Sequence, residues 1–167
     1  MAETLWAPWR MDYILSEKPS RCVFCEAVEA GEPHREENLL LHFGDLTVVM
    51  MNRFPYTHAH LMVMPKRHIA RLDELTPAEH DEFFSLLVTA QVQLEKTLHP
   101  QGFNVGINLG EAAGAGIKDH LHVHIVPRWR GDTNFMPLLA DTKVMPEHLS
   151  ETYRQLQPYF LRLQDKS

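Results

Sequence analysis

The chain has 167 residues, 44% of them apolar, with 16 Lys and Arg against 22 Asp and Glu, 11 His and only 2 Cys. That length suits a single domain, 1–167, which at this size buries roughly 70% of the surface its unfolded chain exposes and needs no disulfide staples. A formal charge of −6 argues against a protein that wraps nucleic acid, and no run reaches the ~20 apolar residues a membrane helix needs. A small anionic ligand stays compatible with this total, because it responds to local fields. Two cysteines three residues apart cannot build a disulfide network, which points to a reducing, cytoplasmic setting. The opening MAETLWAPWRMDYI has neither the basic n-region nor the apolar h-region of a signal peptide.

Residues 1–20 carry Trp6, Trp9 and Tyr13 and are expected to form an aromatic N-terminal arm packed on a surface. Residues 21–38 read as a short helix or knuckle around Cys22 and Cys25, followed by a loop. Leu39–Phe43 and Leu46–Met51 read as strands joined by a Gly44-Asp45 turn, and His60–Met64 as a third strand stopped by Pro65. Thr76, Pro77 and Glu79 supply a cap, a first-turn proline and a capping-box acid in order. The helix they open repeats Phe83, Leu87, Ala90, Leu94 and Leu98 along one stripe and ends at His99-Pro100. Phe103–Leu109 and His120–Val126 read as two more strands, separated by a glycine-rich loop. Pro146 opens a last helix carrying Leu149, Tyr153, Leu156 and Phe160, with Pro158 a kink. The expected class is α+β: an antiparallel sheet of about five strands with helices on one side, one of them long and one C-terminal.

The segment His120-Leu-His122-Val-His124-Ile-Val-Pro127 carries the most information. In a strand its three imidazoles share one face, about 6.6 Å apart along the chain, while Leu121, Val123 and Ile125 share the other. The apolar face suits a core, so the histidine face borders solvent or a polar pocket. It can be a polar outer face, a metal site, or a nucleophilic imidazole between two hydrogen-bonding neighbours. Upstream, residues 102–116 hold five of the eight glycines, which let backbone approach a ligand and let N–H groups form an anion nest. Lys118, Arg128 and Arg130 lie nearby, and no paired carboxylates flank the strand, which disfavours glycosidase chemistry. A phosphate anhydride suits this inventory. Its leaving group needs little acid help, and imidazole is uncharged near neutral pH. The pair in Cys22-Val-Phe-Cys25 has the spacing of half a tetrahedral zinc site. A redox pair or two structural cysteines are the other readings.

His120-Leu-His122-Val-His124-Ile-Val-Pro127-Arg128-Trp129 resembles the signature of the histidine triad (HIT) family of nucleotide hydrolases and transferases. Met51-Asn52-Arg53-Phe54-Pro55-Tyr56, His60-Leu-Met-Val-Met-Pro65 and Gly131-Asp-Thr-Asn-Phe-Met-Pro137 match in type and order. With Leu5-Trp-Ala-Pro-Trp-Arg10 they resemble the branch that cleaves diadenosine tetraphosphate by phosphorolysis. The resemblance implies a HIT-like fold and a homodimer. It makes His122 the nucleophile of a covalent nucleotidyl-histidine intermediate, with water or inorganic phosphate as second acceptor. It places His124 and His120 in the catalytic triad, His124 on phosphate oxygens near the scissile bond. It assigns ligand contacts to Asn52 (ribose), His60, Asn108, the Gly114, Ala115 and Gly116 backbone (phosphate) and Trp129 (a wall of the site). It also implies a structural zinc on Cys22, Cys25, His68 and His120, and calls for no organic cofactor. This chain has Ala59 where the family usually has Gly, and Ala115 and Gly116 where many members have Gln or Ser. The expected ligand is a dinucleoside polyphosphate or a mononucleotide. The rival readings are a nucleoside phosphoramidase of the same family, a phosphohydrolase that uses the histidines to hold a catalytic metal, and a non-catalytic nucleotide sensor.

Overall fold

The computed structural model describes residues 21–132, 147–161 and 163. The N-terminal arm, the Leu5–Arg10 and 133–137 matches and Pro146 lie outside them. Helix α1 spans Val23–Ala30, β1 Leu40–Phe43, β2 Thr47–Met51, β3 Leu61–Pro65, α2 Pro77–Leu98, β4 Gly102–Ile107, β5 Val123–Arg128 and α3 Leu149–Leu161. The five strands form one sheet in the order β1-β2-β3-β5-β4, and every neighbouring pair is antiparallel.

Helix α2 starts where its cap residues dictate. Thr76 Oγ1 accepts the Glu79 N–H, and the Glu79 carboxylate accepts the Thr76 N–H in return at 2.8 Å. His99 closes the helix in the left-handed conformation, φ +48°. Phe83, Ala90 and Leu94 are fully buried, with Leu87 and Leu98 packed beside them, so the predicted stripe is the one that meets the sheet. Helix α3 packs next to α2, runs through Pro158, and ties to β1 by the Tyr153 hydroxyl donating to the Leu40 carbonyl at 3.0 Å.

Two expectations are corrected. Helices cover both faces of the sheet, not one. Val49, Met51, Leu61, Val63, Val123 and Ile125 face α2 and α3, whereas Val48, Met50, Met62 and Met64 form a second cluster with Phe24 of α1. The reason is in β2 and β3, which are buried at every position and apolar at all but Thr47, so both faces need cover. The last strand also begins at Val123, so His120 and His122 precede it. Its ladder with β3 runs from Leu61↔Ile125 to Val63↔Val123. Continuing that register sets Pro65 opposite Leu121, and proline has no N–H to extend the ladder. Leu121 N–H donates instead to the Ile69 carbonyl at 2.6 Å.

Candidate functional site

The sheet face opposite α2 gathers most of the predicted site. In β5, His124 lies between Met62 of β3 and Gly106 of β4. His60 sits two residues before Met62, and its carbonyl accepts the Asn52 N–H at 2.8 Å. Alternation along β4 puts Asn108 two positions beyond Gly106, level with His122 in the continued register. Asn52, His60, Asn108, His122 and His124 therefore share one face. All three triad histidines are buried, so they do not form an exposed outer strand face.

Hydrogen bonds fix which ring nitrogens carry protons. His122 Nδ1 lies 2.7 Å from the His120 carbonyl oxygen, which only accepts, so Nδ1 holds the proton and Nε2 keeps its lone pair. The Tyr56 N–H donates to His60 Nδ1 at 3.1 Å, and His60 Nε2 lies 2.9 Å from His124 Nδ1. Burial holds the His122 pKa below its usual value, and burial with the neighbouring His122 lowers His124 to about 4. Both rings are thus neutral at neutral pH, and their centroids are 4.8 Å apart. The edge of Phe24 meets His120 and His122 with centroids 5.4 and 5.1 Å away.

A second cluster adjoins the first. The ligand atoms of Cys22, Cys25, His68 and His120 all lie within 4.8 Å of one another. Cys25 Sγ is 3.2 Å from His68 Nδ1, and His120 Nδ1 is 3.4 and 3.6 Å from the two sulfurs. His120 Nε2 donates to the Pro65 carbonyl at 2.8 Å, so Nδ1 presents a lone pair to the thiols. Tetrahedral zinc with Zn–S of about 2.3 Å and Zn–N of about 2.1 Å separates its ligands by roughly 3.3–3.8 Å. The three separations of 3.2–3.6 Å are close to that spacing, and two thiols with two imidazoles fit that chemistry. Burial and the adjacent Cys22 push the Cys25 thiol up to about 11, so forming its thiolate calls for a cation.

Other expected site residues are placed differently. Asn52 Oδ1 accepts the Phe54 N–H at 2.9 Å, a turn-capping contact. The glycine-rich loop folds into a 3-10 turn over Glu111–Ala113, between Gly110 at φ +81° and Gly114 at φ +82°. There the N–H groups of Gly114 and Ala115 bond inward to the Glu111 and Gly110 carbonyls. Trp129 has its ring 5.9 Å from that of His58, and its backbone N–H donates to the Asp132 carboxylate at 3.1 Å. Arg128 is held by Asp132 and Asn104, and Lys118 pairs with Glu111, so these two cations are largely neutralised. Two site residues escaped the sequence reading. Phe24 lies between the cysteines with no signal beyond its position. Tyr56 stands in a matched block, and the signal was a tyrosine four residues before a turn histidine.

The HIT domain family matches residues 34–131. The chain belongs to the HIT domain family. Over 161 residues, 92% of this HIT protein and 82% of its relative, it is 38% identical to a Mycobacterium tuberculosis protein named AP-4-A phosphorylase. It is 36% identical over 87 residues to the asymmetrical bis(5'-nucleosyl)-tetraphosphatase of Schizosaccharomyces pombe, covering 52% of this chain and 47% of that one. Among solved structures it resembles a zinc-bound histidine triad family protein from Mycobacterium smegmatis, with a TM-score of 0.66 and 26% identity. That match covers 87% of this HIT protein and 97% of the other chain.

Proposed function

We propose that this HIT protein cleaves dinucleoside polyphosphates of the diadenosine tetraphosphate kind in two steps through His122. The observation that carries the reading is the 2.7 Å bond from His122 Nδ1 to the His120 carbonyl, which leaves Nε2 as an available lone pair beside His124. Relatives named for cleaving such substrates support the choice of ligand.

In the first step His122 Nε2 attacks the α-phosphorus, a P–N bond forms, and the P–O bond to the polyphosphate breaks. The electron pair leaves with the nucleoside polyphosphate. The positive charge on the imidazole is stabilised by the His120 carbonyl at Nδ1–H. His124 donates from Nε2–H to phosphate oxygens near the scissile bond, where charge accumulates. In the second step inorganic phosphate attacks the same phosphorus and the P–N bond breaks, returning neutral His122. A phosphate acceptor is favoured over water by the relative called a phosphorylase. Asn52 and Asn108 hold ribose and phosphate, with Gly116, His60 and Trp129 beside them.

Zinc would be held by Cys22, Cys25, His68 and His120, and its role is structural. Four protein ligands leave no position for substrate, and the metal would pin the segment whose carbonyl orients His122. A phosphohydrolase with catalytic metal on the triad is disfavoured, because His120 Nδ1 faces the cysteines and His124 carries its proton on Nε2, which leaves His122 Nε2 alone as a free lone pair. The protein is taken to act as a cytoplasmic homodimer.

Incubation with diadenosine tetraphosphate, with and without inorganic phosphate, tests the reading. ADP plus ATP only with phosphate is the expected outcome. AMP plus ATP would make water the acceptor, and two ADP without phosphate would exclude attack at the α-phosphorus.

A further inference from the structure

We infer that Tyr56 and His60 are positioning residues: a relay from the Tyr56 backbone through His60 fixes His124 as an outward Nε2–H donor. The inference rests on the proposed role of His124 at the phosphates, but its geometric part stands without substrate.

A backbone N–H can only donate, so His60 Nδ1, 3.1 Å from the Tyr56 nitrogen, is an acceptor. The single proton of a neutral imidazole is then on Nε2. That nitrogen lies 2.9 Å from His124 Nδ1, which must therefore accept, so the His124 proton sits on Nε2. Turning either ring to its other tautomer would set two lone pairs or two N–H groups face to face in a buried place. The result is two adjacent imidazoles of opposite polarity. His122 presents a lone pair because its Nδ1–H is tied to a carbonyl, and His124 presents an N–H because its Nδ1 is tied to His60.

Tyr56 contributes twice. Its ring is stacked on His60, with centroids 4.8 Å apart and planes at 23°, and lies 5.7 Å from the His124 ring. Tyr56 is 48% exposed and His60 only 1%, so the tyrosine covers the imidazole pair against solvent. The turn that returns the Tyr56 N–H to the ring four residues later passes through Ala59 at φ +55°. Both ring nitrogens of His60 are engaged and the side chain is buried, which makes it a positioning residue in place of the ligand contact expected from the sequence.

The test combines imidazole 15N NMR of the zinc-loaded full chain with kinetics on diadenosine tetraphosphate. In the resting wild type, His124 should show a bare Nδ1 and a protonated Nε2. A protonated Nδ1 overturns the relay. In His60→Leu, which keeps bulk and removes the donor, the His124 tautomers should mix and kcat fall by about 10- to 100-fold with little change in KM. His60→Gln restores a donor and should recover most of kcat, which a purely structural role would not do. A folded His60→Leu with wild-type tautomer and kcat rejects the proposal. If that variant fails to fold, the wild-type spectrum and His60→Gln decide. Tyr56→Ala keeps the amide, so it should keep the tautomer while the His60 Nε2 proton exchanges faster with water. Unchanged exchange removes the ring from the relay. A wild type inactive on this substrate overturns the functional reading, and the resting spectrum still decides the relay.

Discussion

His122 Nδ1 lies 2.7 Å from the carbonyl oxygen of His120, two residues upstream. The proposed nucleophile is thus oriented by the backbone of a residue whose own ring points into the Cys22, Cys25 and His68 cluster. His122→Ala should remove this nucleophile and leave nucleotide binding within a few-fold. Turnover is expected to drop by roughly 10³-fold or more, measured by product chromatography beside calorimetric binding. Undiminished turnover in that variant would end the two-step scheme.

Metal removal should be felt in stability before chemistry. Wild-type protein is expected to contain zinc by elemental analysis, and Cys25→Ser to lose most of it. A loss of about 2–3 kcal/mol in a chain of this length lowers Tm by roughly 5–10 °C. Purified wild type without zinc would refute the assignment.

Acidification should destabilise the fold from about pH 6.5 downward. Burial depresses His42, His120, His122 and His124 below the ordinary 6.5, His124 to about 4. A base with a lowered folded pKa takes up a proton more readily when unfolded. Stability is therefore full above the unfolded pKa and is lost as pH falls toward the folded values. His124 alone contributes up to about 3 kcal/mol by pH 4. Denaturant midpoints measured from about pH 4 to 8 should be flat at the top and fall below 6.5. A midpoint that rises on acidification would contradict the buried neutral rings.

Glu79 locks the start of α2 to the loop after β3. Its carboxylate takes Arg67 Nε and an Arg67 terminal nitrogen, both at 2.8 Å, along with the Thr76 N–H and hydroxyl. Those partners, Arg67 first, hold its pKa down at about 2. Glu79→Gln should cost about 2 kcal/mol in chemical denaturation, since charged hydrogen bonds and a capping contact are weakened together. The hydrogen bonds of the carboxylate run to Arg67 and Thr76 and not to the histidines, so kcat should be unaffected.

Legibility in the sequence followed the range of the interaction. Helix α2 was readable to the residue because Thr76, Pro77 and Glu79 act within one turn. The strands were readable because residues 48–51 of β2 and Leu61–Pro65 of β3 are continuous apolar runs. The same runs implied burial on both faces, and α1 was the missing cover. The start of β5 was misplaced because the proline that ends its ladder lies in another strand. The spacing of Cys22 and Cys25 pointed to half of a metal site, and the family resemblance supplied His68 and His120, which spacing alone left open. Tautomers were out of reach, since they depend on Tyr56, His60 and a carbonyl meeting in space.

Gly106 faces His124 across β4 and β5, and nothing lies within 4 Å of where its Cβ would sit. Neither its φ nor its neighbours require glycine, and alanine there would favour the strand by about 0.5–1 kcal/mol. A methyl at this spot would instead enter the room beside the donor imidazole. Selection for abundance and selection for turnover therefore pull this one position in opposite directions. In a mutational scan, Gly106→Ala should be neutral to slightly favourable in the soluble yield and costly in the catalytic rate.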